Sequence, residues 1–229
     1  MKNIVISLGG SIIIPDSNID YKFLEKFKKT LENNYSKYKF TIVCGGGPIA
    51  RKYIAALKKE RKSMKELSLA GIRITRINAL FMMQIFGKKA NDFLPKNMKE
   101  IKNDLKKNKI VICGALRYSE KSTSDSTAAE LAHYLNADFI NMTNVNGLYS
   151  SDPKKNKDSK FISKIEWGKF ENMANKIKYH AGQHFILDQN ASKIIRKYKI
   201  KTYLIGKNTK NLNRLINNKK FLGTTIYND

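Results

Sequence analysis

The chain has 229 residues, enough for one large domain or two small ones, and at that size roughly 70–75% of the unfolded surface can be buried without staples. Hydrophobic residues make up 41% and charged residues 28%, and no apolar run nears the roughly 18 residues a membrane helix needs, so a soluble globular class is expected. The formal charge of +25 fits nucleic-acid binding, attraction of anionic substrates, or lysine-rich solvated faces. The lysine pairs Lys28-Lys29, Lys58-Lys59, Lys106-Lys107, Lys154-Lys155 and Lys219-Lys220 are scattered, which favours solvated faces with some steering of anions.

Met1-Lys2-Asn3 leads straight into the apolar run Ile4-Val5-Ile6-Ser7-Leu8, with no signal-peptide pattern. That run is predicted as a strand ending at Gly9-Gly10-Ser11. Ile12-Ile13-Ile14-Pro15 is predicted as a short extended piece. Tyr21 to Asn33 has Leu24, Phe27 and Leu31 at helical spacing and is predicted as an amphipathic helix. Phe40 to Cys44 is a second strand, and it stops at Gly45-Gly46-Gly47. Pro48 then opens a helix expected over Ile49 to Lys59. Three glycines let the backbone approach a ligand closely, and a helix N-terminus offers free N–H donors to an anion.

Met64 to Phe86 is a long helical pattern interrupted by Gly71, and it suits either a core helix or a face packed on another subunit. Asn97 to Lys107 is a polar surface helix. Ile110 to Cys113 is a third strand, followed by a polar loop from Leu116 to Ser124. A helix is expected over Ser126 to Leu135, with Asp125 as its N-cap. Phe139 to Thr143 is a fourth strand running into a turn-rich segment, Asn144 to Tyr149. After a basic stretch to Lys160, helices are expected over Trp167 to Lys178 and His184 to Lys197. Thr202 to Ile205 is a strand, Leu212 to Ile216 a short helix, and Thr224 to Tyr227 a last strand. Strands alternating with helices predict a largely parallel sheet covered on both faces, and two glycine loops at the ends of neighbouring strands predict a ligand site there.

Cys44 and Cys113 form no CxxC pair, and His133, His180 and His184 have no metal-ligand spacing with them. No metal site is expected, and the expected compartment is reducing and cytoplasmic. There is no GxxxxGK[ST] and no protein-kinase signature set. Asp125, beside Ser122, Thr123 and Ser124, is either a helix cap or a carboxylate that orients cationic groups around a transferring phosphate.

Read in order, several segments resemble the amino-acid kinase superfamily, and within it the archaeal-type uridylate kinases. They are Ser7-Leu8-Gly9-Gly10-Ser11, Gly45-Gly46-Gly47-Pro48-Ile49-Ala50-Arg51, Gly71-Ile72-Arg73-Ile74-Thr75-Arg76-Ile77-Asn78-Ala79, Ser124-Asp125-Ser126-Thr127-Ala128-Ala129, Thr143-Asn144-Val145-Asn146-Gly147-Leu148-Tyr149-Ser150-Ser151-Asp152-Pro153 and Gly223-Thr224-Thr225-Ile226. The resemblance implies one domain over residues 1–229, a three-layer α/β/α sandwich with the acceptor site in its N-terminal part and the ATP site in its C-terminal part. It implies transfer of the γ-phosphoryl of ATP to UMP with Mg²⁺ and a homo-oligomer of the dimer-based hexameric kind; from the composition no membrane partner is expected, and nucleic acid is the less favoured reading of the charge.

By the same resemblance, Asp125 and Arg51 are catalytic. Gly10, Ser11, Gly47 and Arg51 meet the ATP phosphates, and Thr143, Tyr149 and Asp152 meet the base and ribose side. Gly46, Ser68, Leu116, Ser122, Thr123 and Ser124 fall on the acceptor side. Asp188 matches a further family aspartate. The chain also departs from the pattern. Ser7 stands where many members place a lysine, Ser68 where an aspartate for the UMP ribose is expected, and Asn146 where Val-Asp-Gly has its aspartate. The acceptor loop begins Gly114-Ala115-Leu116 and is longer than usual. The alternatives are a kinase of the same fold acting on an acylamino acid, carbamate or isopentenyl phosphate, and a nucleotide-binding protein without turnover.

Overall fold

The computed structural model describes residues 1–15, 18–118, 122–151, 153, 156–176 and 187–227. In chain order the elements are β1 (Lys2–Leu8), α1 (Gly10–Ile13), α2 (Tyr21–Glu32), β2 (Tyr38–Cys44), α3 (Gly47–Lys59) and α4 (Met64–Phe86). There follow α5 (Met98–Lys107), β3 (Ile110–Cys113), α6 (Ser124–Tyr134), β4 (Asp138–Met142), β5 (Leu148–Tyr149) and β6 (Phe161–Ile162). The rest are β7 (Lys164–Glu166), α7 (Trp167–Asn175), α8 (Gln189–Lys197), β8 (Thr202–Ile205), α9 (Thr209–Ile216) and β9 (Thr224–Tyr227).

Seven strands form one sheet in the order β3-β2-β1-β4-β8-β9-β7. β3, β2, β1, β4 and β8 run parallel, β9 is antiparallel to β8, and β7 is parallel to β9. Successive side chains alternate between the two faces of a strand, and here both faces are apolar. Ile4, Ile6, Leu8, Phe40, Ile42 and Cys44 pack on one side with Phe27 and Leu31 of α2, Met82 and Phe86 of α4, and Leu212 of α9. Val5, Val43, Val111 and Phe139 pack on the other with α5, α6, α7 and α8. A sheet buried on both faces explains why its strands read as continuous Ile/Val runs. The result is the predicted α/β/α sandwich.

The helix starts follow local chemistry. Asp20 caps α2 by accepting from the Phe23 N–H at 3.0 Å. Ser63 and Glu66 make a reciprocal capping box at the head of α4. Asn97 and Asn208 cap α5 and α9 by accepting from the Glu100 and Asn211 N–H groups. Along α4, Leu67, Ile74, Ala79, Met82 and Phe86 are buried while Ile77 and Leu80 are 57% and 47% exposed. The helix therefore has a core face and a second, outward apolar face.

Several expectations need correction. Ile12 and Ile13 belong to a helical turn, not an extended piece, because Gly10 starts α1 directly at the end of β1 and both isoleucines turn into the core. The helix after the triple glycine begins at Gly47, with Pro48 in its first turn, earlier than the expected Ile49. Asp125 is not the N-cap of α6. Thr123 is, accepting from the Asp125 N–H at 3.2 Å, and the Asp125 side chain is engaged elsewhere. The β5–β6 ribbon and β7 carry no sequence prediction. α8 starts at Gln189, and residues 184–186 of the expected helix lie outside the described residues, as does the end of the one expected from Trp167.

Phe27 is fully buried, stacked on Phe23 at 5.7 Å and edge-on to Phe86 at 6.4 Å. Phe27→Ala is expected to destabilise the protein by about 3–5 kcal/mol. Urea unfolding measures this, and a loss under ~1 kcal/mol contradicts the packing described.

Candidate active site

After β1 the chain builds β2 and β3 to one side and then returns to place β4 on the other side of β1. Such a switch leaves a crevice at the C-terminal ends of the central strands, where open α/β sheets bind ligands. The two glycine turns meet there. A Cβ on Gly10 would lie 2.3 Å from the Gly47 nitrogen and 2.5 Å from the Gly45 oxygen. A Cβ on Gly47 would lie 2.4 Å from the Gly10 carbonyl carbon, and Gly47 has φ +64°. The turns touch backbone to backbone, so neither position has room for a side chain. Asn78, buried on α4, donates to the Gly45 carbonyl at 2.7 Å and fixes the second turn from behind.

This arrangement opens a cavity of about 190 Å³. Its lining combines the first turns of α1 and α3, whose N–H groups have no partner within the helix, with Arg51, Ser68, Gly71, Ser122 to Ser124, Asp125, Thr143 and Asp188.

Asp125 sits where β1, β4 and α6 converge. Ser7 donates from Oγ to Asp125 Oδ1 at 2.6 Å, and Asn141 Nδ2 donates to the same oxygen at 3.1 Å. Ser7 and Asn141 are partners in the β1–β4 register and both are buried. Burial pushes the Asp125 carboxyl up to about 7, the nearby Asp188 adds to that rise, and the donors Ser7 and Asn141 oppose it. Asp188 differs in having five donors. Its oxygens accept from the Thr123 N–H and Oγ1 at 2.9 and 2.6 Å, the Ser126 N–H and Oγ at 3.2 and 2.6 Å, and the Ala191 N–H at 2.7 Å. It ties the N-termini of α6 and α8 together beneath the cavity.

The cavity brings together Gly10, Ser11, Gly46, Gly47, Arg51, Ser68, Ser122, Thr123, Ser124, Asp125 and Thr143 among the expected residues. Leu116 stands apart. It is packed in the core, and its carbonyl accepts from Arg76. Tyr149 lies on β5, edge-on to Phe161 at 5.3 Å and away from the cavity wall. Asp152 lies outside the described residues. Arg117 and Tyr118, which fall within the acceptor loop expected from Leu116 to Ser124, also line the cavity, whereas Asn78 and Asn141 were missed. A polar residue at a core position of a helix (Asn78), or in the middle of an apolar strand (Asn141), is the signal that marks these last two.

The amino acid kinase family model matches residues 2–206 of the chain. A uridylate kinase of Thermococcus kodakarensis is 35% identical over 205 residues, 89% of this chain and 90% of that protein. A uridylate kinase of Methanococcus aeolicus is 33% identical over 220 residues, 94% of this chain and 95% of that protein. The crystal structure of the uridylate kinase from Archaeoglobus fulgidus superposes with a TM-score of 0.83 at 31% identity, covering 99% of this chain and 100% of that one.

Between about pH 4, where a free carboxyl titrates, and about 7, where Asp125 does, the folded protein holds a proton that the unfolded chain has released. Stability therefore falls as pH rises through that window. Asp125→Asn removes this dependence, so the variant is expected to gain stability relative to the wild type between pH 5 and pH 8. Urea midpoints at the two pH values check it, and parallel pH dependences contradict it.

Proposed function

The chain belongs to the amino acid kinase family, and from that premise we propose that it transfers the γ-phosphoryl group of ATP to UMP, giving ADP and UDP. The observation that carries the proposal is the juxtaposition of two backbone cradles with the Asp125 carboxylate in a single cavity. The uridylate kinases that match nearly the whole chain support the choice of acceptor.

In this reading the N–H groups around Gly10, Ser11 and Gly47 hold the ATP phosphates, and Arg51 brings a cation to them. Thr143, on the cavity wall, serves the adenosine side together with Asp152. Gly46, Ser68 and the segment Ser122 to Ser124 face UMP. An oxygen of the UMP phosphate attacks the γ-phosphorus as the bond to the β-bridging oxygen breaks, and ADP departs. Such a transfer needs positioning and charge neutralisation more than covalent chemistry. Asp125, fixed by Ser7 and Asn141, orients the groups around the transferring phosphoryl.

Among the described residues no three His, Cys, Asp or Glu side chains form a metal cage, and both Asp188 oxygens are taken by protein donors. In this proposal a Mg²⁺ would be carried on the nucleotide phosphates that the backbone cradles hold. When bound it supplies neutralising charge. We read residues 1–229 as one domain acting in the cytoplasm, in pyrimidine nucleotide synthesis. No helix among the described residues is long and apolar enough to cross a membrane. Self-association of the dimer-based kind belongs to the same proposal, and the exposed Ile77 and Leu80 on α4 support it.

The test is ADP release from Mg·ATP with UMP, CMP, AMP, GMP, N-acetylglutamate and isopentenyl phosphate offered singly. UMP is expected to be the favoured acceptor, and turnover on another compound with none on UMP contradicts the proposal. Asp125→Asn is expected to lower kcat by about 10²-fold or more with the fold retained. Near-normal turnover in that variant removes Asp125 from the mechanism.

A further inference from the structure

One turn of α4 reaches two loops of the cavity. On one side Asn78 holds the Gly45 carbonyl. On the other, the Thr75 hydroxyl accepts from the Ala115 N–H at 2.9 Å while donating to the Ile72 carbonyl at 2.7 Å. Beside it the Arg76 guanidinium donates from Nε to the Ala115 carbonyl at 3.1 Å and from Nη2 to the Leu116 carbonyl at 2.7 Å. Gly114 lies flush against this turn, since a Cβ there would sit 2.7 Å from the Arg76 nitrogen and from the Thr75 carbonyl carbon. The start of the loop is therefore fastened to α4 by three hydrogen bonds. Its next residues, Arg117 and Tyr118, line the cavity, and Arg117 pairs at its outer edge with Glu130 at 3.0 Å.

An arginine beside an anion site ordinarily serves the anion. Arg76 instead spends its fork on two consecutive backbone carbonyls, a task a single lysine ammonium cannot repeat. We propose that Arg76 is a positioning residue for the phosphoryl acceptor: by holding Ala115 and Leu116 it sets where Arg117 and Tyr118 meet the acceptor, without touching substrate itself. This rests on the reading of UMP as acceptor. The glycine cradle assigned to ATP has its own support in Asn78, so loss of Arg76 acts on the acceptor side selectively.

The experiment compares wild type, Arg76→Ala, Arg76→Lys and the hydroxyl-retaining Thr75→Ser. The readouts are KM for UMP, KM for ATP, and amide hydrogen exchange over residues 114–118. Arg76→Ala is expected to raise KM for UMP by about tenfold or more, because small misplacements of a positioning loop are costly, with KM for ATP unchanged within about twofold. Arg76→Lys is expected to recover little, Thr75→Ser to stay near wild type, and exchange over 114–118 to speed up in both Arg76 variants. An unchanged KM for UMP, full rescue by lysine, or equal loss for both substrates overturns the proposal. If the wild type leaves UMP untouched, the acceptor reading falls instead. Exchange over 114–118 then decides the positioning role by itself, and unchanged exchange rejects it.

Discussion

The contact between Gly10 and Gly47 sets the rest of the site. With 2.3 Å between a would-be Gly10 Cβ and the Gly47 nitrogen, the ends of β1 and β2 close to a separation only bare backbone permits. The sheet prepares this approach: β1 and β2 stay in register through Leu8 and Cys44, and the Gly45 N–H continues the ladder to the Leu8 carbonyl at 2.8 Å. Asn78 then holds the second turn from α4. Because the turns are fixed by backbone contact, their amides are preorganised for an anion, and little ordering remains to be done when one binds.

The electrostatics follow from what surrounds that contact. The Asp125 carboxylate faces two neutral donors, Ser7 and Asn141, and a second carboxylate, Asp188. Positive charge stands on the cavity wall, at Arg51 and Arg117, and in the +25 field of the chain. Asp188 is stabilised differently, by five donors that include the first-turn amides of α6 and α8. Two buried carboxylates thus sit differently: Asp188 locks helix ends, and Asp125, with fewer donors, borders the cavity.

Much of this was legible in the sequence. β1 through β4 announce themselves as Ile/Val runs ending in glycine or polar turns, and the glycine turns mark their own ends. β6 and β7 were not legible, because Phe161-Ile162 and Lys164-Ile165-Glu166 are too short for periodicity to register. Taken alone, Asp125 reads as a helix cap, and only its place after a strand and a polar loop, with the family resemblance, marks it as functional, since its partners, Ser7 and Asn141, lie 118 and 16 residues away. Arg76 looked like one more cation on a long helix. Only the fold brings its fork to Ala115 and Leu116.

The most direct measurement is ATP affinity of Gly10→Ala by titration calorimetry, alongside far-UV circular dichroism. A methyl at Gly10 has to push the two turns apart, and overpacking of this kind costs roughly 1–3 kcal/mol. A retained sheet with nucleotide affinity lowered at least ~10-fold is the result expected if backbone contact builds the cradle. Affinity unchanged within about twofold in a fully folded variant contradicts it.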